Sequence, residues 1–279
     1  MTKNSDVPLI KIIEAHQPWW RLNLADAYDK REICYVFAWR KISTLYKQKA
    51  LGIVWGLIEP LALLIIMTAV FGYVMRLPTN GYPYPVYAFA GLMPWLLFSK
   101  ATTSVSNSLM ENMAVISKVY FPRLIIPVSS LAKDIFDSVM SMAVLLSLVV
   151  YYGFPLSAKY LLLPFFMGIP IFAALGIGLW VSAPMVRFRD LQHVVAICLQ
   201  VGMYASPIIY SAKMVPENLL PYYTLNPMSW AIDGVRWIML DQPLEFTISF
   251  YLSMALTLAV FISGLFIFSI FEKLSVDVQ

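Results

Sequence analysis

The chain has 279 residues, of which 60% are hydrophobic and 13% charged, with a formal net charge of +4. A soluble chain carries roughly twice that charged fraction, and several apolar runs reach the ~20 residues needed to cross a bilayer. This composition excludes an ordinary soluble domain and predicts an all-α integral membrane protein.

Residues 1–30 are polar and irregular, with Pro8 and Pro18. They hold no apolar core after the first basic residues, so no removable signal peptide is expected. Residues 31–52, REICYVFAWRKISTLYKQKALG, predict a helix lying in the membrane plane. Tyr35, Ala38, Trp39, Ile42, Leu45 and Tyr46 form one stripe. Arg40, Lys41, Thr44, Lys47 and Gln48 fall mostly opposite, where anionic headgroups would hold them. An ordinary surface helix is the alternative. The chain divides here into a cytoplasmic N-terminal region, 1–52, and a transmembrane domain, 53–279.

The first of six spans covers about 54–75 and contains Glu59-Pro60. A carboxylate at the midplane costs about 2.5–3.5 kcal/mol on insertion scales, less near an interface. Snorkelling or a partner would relieve Glu59, and Pro60 predicts a bend. The second span covers about 84–103. Residues 107–121 then read as an amphipathic helix, with Leu109, Met110, Met113, Ile116, Tyr120 and Phe121 on one face and Glu111 and Lys118 on another. Pro122 ends it. This loop is too small for a catalytic domain. It serves either as a handle for another protein or as a connector resting on the bilayer.

The third span, about 130–152, begins with Lys133, Asp134 and Asp137, and Lys133 and Asp137 are spaced to pair. The fourth, about 160–185, contains Gly176-x-Gly178, which permits close helix packing. A charged turn with Arg187, Arg189 and Asp190 leads to the fifth, about 191–209. Between it and the sixth, about 246–271, lie apolar pieces around 219–225 and 230–240. Each is too short to span, so short re-entrant or interfacial helices are expected.

Sixteen of the twenty Lys and Arg residues fall on one side of this arrangement. The positive-inside rule then places both termini, the 107–123 loop and the 187–190 turn in the cytoplasm, and the 210–245 loop outside. Cys34 and Cys198 lie far apart and offer neither a disulfide framework nor a metal site. Nothing matches GxxxxGK[ST], HExxH or CxxC, and His16 and His193 are isolated. No catalytic residue, cofactor or metal is assigned, and no nucleic-acid partner is expected. The nearly uncharged midplanes argue against ion coupling. Aromatic residues instead mark a substrate path: Tyr204, Tyr210, Tyr222, Tyr223, Trp230 and Trp237. Their faces suit sugar rings, and an interfacial aromatic belt is the alternative.

Six pieces in order carry a family resemblance: WGLIEP at 55–60, FAGLMPW at 89–95, ENMAVISKVYFPR at 111–123, RFRD at 187–190, SPIIY at 206–210 and LNPM at 225–228. Over about residues 30–275 the chain resembles permease subunits of ABC-2 type exporters of lipid-linked polysaccharide, the O-antigen, capsule and teichoic-acid group. The resemblance implies that Glu111, Lys118, Tyr120 and Arg123 belong to the loop coupled to an ATPase, with Arg187, Arg189 and Asp190 beside it. It implies a membrane-interface helix bearing Tyr35, Trp39, Arg40, Lys41 and Lys47. It further implies a homodimer in the bacterial inner membrane, with two copies of a separate subunit that binds ATP and Mg. The expected cargo is an undecaprenyl-diphosphate-linked glycan, O-antigen above the others. A permease for a drug or another lipid, and an intramembrane transferase acting on a lipid-linked sugar, are the alternatives.

Overall fold

The structure, a computed structural model, describes residues 24–47, 54–79, 81–119, 121–210 and 214–274. Trp19, Trp20 and Tyr120 lie outside that set, as do the side chains of Leu45, Tyr46 and Lys47. A short helix α1 (Leu24–Asp29) leads into α2 (Arg31–Lys47). Helix α3 (Trp55–Met67) continues as a π-helical segment over Thr68–Val74. The long helices α4 (Tyr84–Glu111) and α6 (Ile125–Tyr151) flank the four-residue α5 (Met113–Ile116). A 3-10 turn at Ala158–Leu162 opens α7 (Leu163–Arg187), and α8 (Leu191–Ala205) follows. Then come α9 (Leu220–Leu225), α10 (Pro227–Leu240) and α11 (Ile248–Leu274).

Gly56–Val74, Ile125–Tyr151, Ala158–Arg187 and Ile248–Phe271 are long and apolar enough to cross a membrane. They occupy four of the six predicted span positions, and α4 and α8 occupy the other two. At 1.5 Å per residue the 28 residues of α4 measure about 42 Å. Its polar half, with Lys100, Thr102, Ser106 and Ser108, is sheltered because α6 and α7 pack against it. The helix supplies the centre of the core, where Val86, Phe89, Ala90, Ala101 and Val105 are inaccessible. By contrast, the 15 residues of α8 reach only about 22 Å. Val194, Ile197 and Val201 on it are exposed.

Two expectations about local structure need correction. The 107–121 segment is not one helix. Asn112 leaves helical geometry with ψ near 13°, and its amide donates to the Ser108 carbonyl at 2.8 Å. A side chain that bonds nearby backbone competes with helix propagation, so α4 stops at Glu111 and α5 restarts for a single turn. The third long helix also begins at Ile125 rather than near 130, because Pro127 falls in its first turn, where a missing donor costs nothing. Helix α3, meanwhile, stays helical through Pro60, and its departure from α geometry comes at Thr68–Val74.

The Gly176-x-Gly178 pair packs two different neighbours. A Cβ on Gly176 would lie 2.8 Å from the Phe261 backbone nitrogen of α11, and one on Gly178 would lie 2.5 Å from the Val105 side chain of α4. Missing side chains thus bring α7 close to both helices, the usual means of packing where water supplies no hydrophobic drive.

Candidate functional site

At one end of α4 stands the 112–124 loop. Helix α2 packs on α6 and reaches this loop directly. Lys41 Nζ meets Glu111 Oε2 at 2.6 Å, and Arg40 Nη2 donates to Asn112 Oδ1 at 3.1 Å. The Phe37 and Phe121 rings stand 5.6 Å apart, with the Arg40 guanidinium 4.8 Å over Phe37. Phe121 is buried, so an apolar contact anchors the base of a loop whose Lys118 is exposed. Arg123 is half-buried nearby in sequence.

The predicted stripe of α2 is not the side that packs on the protein. Ile33, Cys34 and Phe37 turn toward the core, while Tyr35 and Trp39 are 69% and 60% exposed. At 100° per residue the two sets lie on opposite sides of α2, and α6 covers the side that also carries Arg40 and Lys41. Arg40 and Lys41 serve the loop, a pairing that a reading of α2 alone does not reveal. Burial raises the Cys34 thiol above its ordinary value, which keeps it from thiolate chemistry. Arg187, Arg189 and Asp190 are all exposed in the turn between α7 and α8, and Arg187 lies 5.6 Å over the Phe188 ring.

Above the loop, α3, α4 and α6 share a chain of charges. Lys100 of α4 binds Glu59 of α3 at 2.6 Å, supplying the partner that Glu59 needs. Lys133 lies 3.1 Å from Asp137, as its i,i+4 spacing predicts, and 3.7 Å from Asp134. Both aspartates are buried. A Cβ on Gly56 would lie 3.3 Å from Asp137 Oδ1, so α3 passes directly over this pair.

At the opposite end of α4, the 206–210 turn and α10 close over it. Asn226 caps α10: its side-chain oxygen accepts from the Met228 N–H at 3.0 Å, and Pro227 takes the first helical position. The Asn226 amide also donates to Ser206 Oγ at 3.1 Å, tying α10 to the turn. The predicted aromatics separate by environment. Tyr204 and Tyr222 are exposed, Tyr222 by 77%. Tyr210 and Trp237 are half-buried; the Tyr210 hydroxyl donates to the Tyr204 carbonyl at 3.3 Å, and Lys159 sits 5.1 Å over the Trp237 ring. Tyr223 and Trp230 belong to the interior, and Trp230 donates to the Thr224 carbonyl at 2.6 Å.

Arg236 is one of the four Lys and Arg residues that the positive-inside rule puts outside. It is wholly buried in α10, against α4. A buried arginine is costly unless it is paired, and here two backbone carbonyls and the Asp233 carboxylate share it, while Nη1 has no hydrogen bond. The signal was an arginine three residues after an aspartate inside a mostly apolar helical run, PMSWAIDGVRWIML.

The model of a family described as "ABC-2 type transporter" matches residues 32–240. The chain is 28% identical over 232 residues to a Klebsiella pneumoniae protein named "O-antigen export system permease protein RfbA", covering 81% of this chain and 86% of that one. A second Klebsiella pneumoniae protein of the same name is 27% identical over 263 residues, 91% of this chain and 95% of its own length. A "Polysialic acid transport protein KpsM" from Escherichia coli is 27% identical over 203 residues, 71% of this chain and 77% of that one.

Proposed function

We propose that this chain, which belongs to the ABC-2 type transporter family, is the membrane permease of an ATP-driven exporter of lipid-linked polysaccharide. The chain lies in the bacterial inner membrane with both termini in the cytoplasm and works as a homodimer. Two copies of a cytosolic subunit bind ATP and Mg and supply the hydrolysis. The cargo is an undecaprenyl-diphosphate-linked glycan, O-antigen first among the possibilities, in keeping with the relatives' names.

The observation that supports this reading is the continuity of α4. One end meets a loop braced by α2 and bearing exposed Lys118; the other end lies under α10. A cytosolic subunit that grips the 111–123 loop and closes on ATP therefore moves a helix about 42 Å long. Arg187, Arg189 and Asp190 offer a second exposed contact for the same partner. A long polymer does not fit one occluded pocket, so stepwise threading past Tyr204, Tyr210 and Tyr222 suits the cargo better than alternating access.

The test is co-purification with the ATP-binding subunit together with an export assay. The ATPase is expected to accompany the solubilised permease. Glu111→Arg and Arg123→Glu are expected to lower export several-fold while the permease still inserts. Absence of any ATPase, together with intact export in both variants, sinks the proposal.

A further inference from the structure

We infer that Arg236 is a positioning residue that locks α10 and the 206–210 turn to the far end of α4, so that these outward segments move with α4 as one body. The inference rests on the docking role proposed for the 111–123 loop, because that loop supplies the displacement to be transmitted.

The guanidinium fastens three segments. It rises from the middle of α10. Its Nη2 donates to the Ile208 carbonyl of the turn at 2.9 Å, and its Nε points to the Tyr87 carbonyl of α4 at 3.4 Å. The Tyr87 ring lies 3.7 Å beneath it, a cation–π contact in a site without water access. The third nitrogen, Nη1, stands 3.6 Å from Asp233 one turn back on α10. Room for this comes from Gly91, where a Cβ would sit 2.8 Å from Nη2 and 3.1 Å from the Ile208 oxygen.

Two tyrosine hydroxyls of α4 also reach the turn directly. The Tyr84 hydroxyl to the Ile209 carbonyl and the Tyr87 hydroxyl to the Tyr210 carbonyl are each 3.5 Å. Arg236 makes the 2.9 Å bond between α10 and the turn and also reaches α4 at 3.4 Å, and its planar fork sets both distance and angle. Helix α4 stays helical through Pro94 to Glu111. A shift at the loop thus reaches Tyr87, and through Arg236 reaches α10 and Ile208. Methionine would fill similar space without either bond. Lysine would keep the charge but offer one ammonium in place of a fork.

The experiment uses the complete transporter, permease with its ATPase, in proteoliposomes. Nitroxide labels at Thr103 on α4 and Leu225 beside α10 are read within one copy, with Cys34 and Cys198 replaced by serine. In the otherwise wild-type chain, the Thr103–Leu225 distance is expected to be the same in nucleotide-free and ATP-trapped states. In Arg236→Met it is expected to shift or broaden on ATP trapping. ATP hydrolysis should then stay within about twofold while polymer exported per ATP falls about tenfold. Arg236→Lys should resemble Arg236→Met.

A wild-type distance that changes on ATP trapping overturns the lock, as does an Arg236→Met variant with wild-type export per ATP. Either result leaves the docking reading standing. Should neither Arg236 variant fold, the wild-type distance alone decides. If Glu111→Arg and Arg123→Glu leave export intact, the docking reading fails, and the lock fails with it.

Discussion

Lys41 and Glu111 join two helices that are 70 residues apart in the chain, at 2.6 Å between Nζ and Oε2. The contact makes α2 part of the loop's support. A partner pulling on the loop therefore also loads α2, whose exposed Tyr35 and Trp39 face away from the bundle.

Both members of this pair are partly exposed, so its contribution to stability is small, at most about 1 kcal/mol. Lys41→Glu alone and Glu111→Lys alone are expected to unfold within a few degrees of wild type and to export several-fold less polymer, on the order of 1 kcal/mol of coupling. The double swap should recover most of the loss. A double-mutant cycle on export rate measures this; additive losses would mean that the pair does not act as a unit.

Lys133 holds two buried carboxylates, whereas Lys100 holds one that is half exposed. Lys133→Met removes the ammonium beside both buried carboxylates and should cost about 3–5 kcal/mol. Lys100→Met should cost about 1 kcal/mol or less. Thermal unfolding in detergent separates the two, and adding Asp137→Asn to Lys133→Met should restore part of the loss.

Gly176 and Gly264 meet backbone to backbone: a Cβ on Gly264 would lie 2.5 Å from the Gly176 carbonyl oxygen. Backbone cannot swing aside as a side chain can. Gly264→Val should separate α7 from α11 and destabilise the chain by about 1–3 kcal/mol or more. Loss of monodisperse protein on size-exclusion chromatography, or a clear fall in melting temperature, checks this.

The outward aromatics should divide by burial. Tyr222→Ala removes an exposed ring and should lower export with little change in melting temperature. Trp230→Ala empties an interior site against Phe250, 5.2 Å away, and should cost about 3–5 kcal/mol of stability. Measuring export per folded molecule distinguishes them. A Tyr222→Ala variant with normal export would remove that ring from the glycan path.

The spans were legible because lipid imposes a simple demand. Runs of ~20 apolar residues had to be helices; four predicted positions hold helices long and apolar enough to cross, and α4 and the shorter α8 occupy the other two. The Lys133–Asp137 pair followed from helix spacing, and the α9–α10 pieces followed from their shortness. The end of α4 at Glu111 was not legible, since it depends on Asn112 turning back to Ser108. Nor did periodicity reveal that α2 gives Phe37 to the protein and Tyr35 to the surroundings, because one helix does not say which neighbour will cover it.

By itself the sequence determined the class: a helical membrane chain with six span positions, a charged loop between the second and third, and aromatic short helices before the last. Tertiary structure decided which of those residues meet. Glu59 found Lys100 41 positions away, Lys41 found Glu111, and Arg236 found Tyr87 149 positions away. Hydropathy is a property of each segment and is written locally. The pairing of a buried charge depends on how helices cross, and that is fixed only when glycines such as Gly91 and Gly176 let their backbones approach.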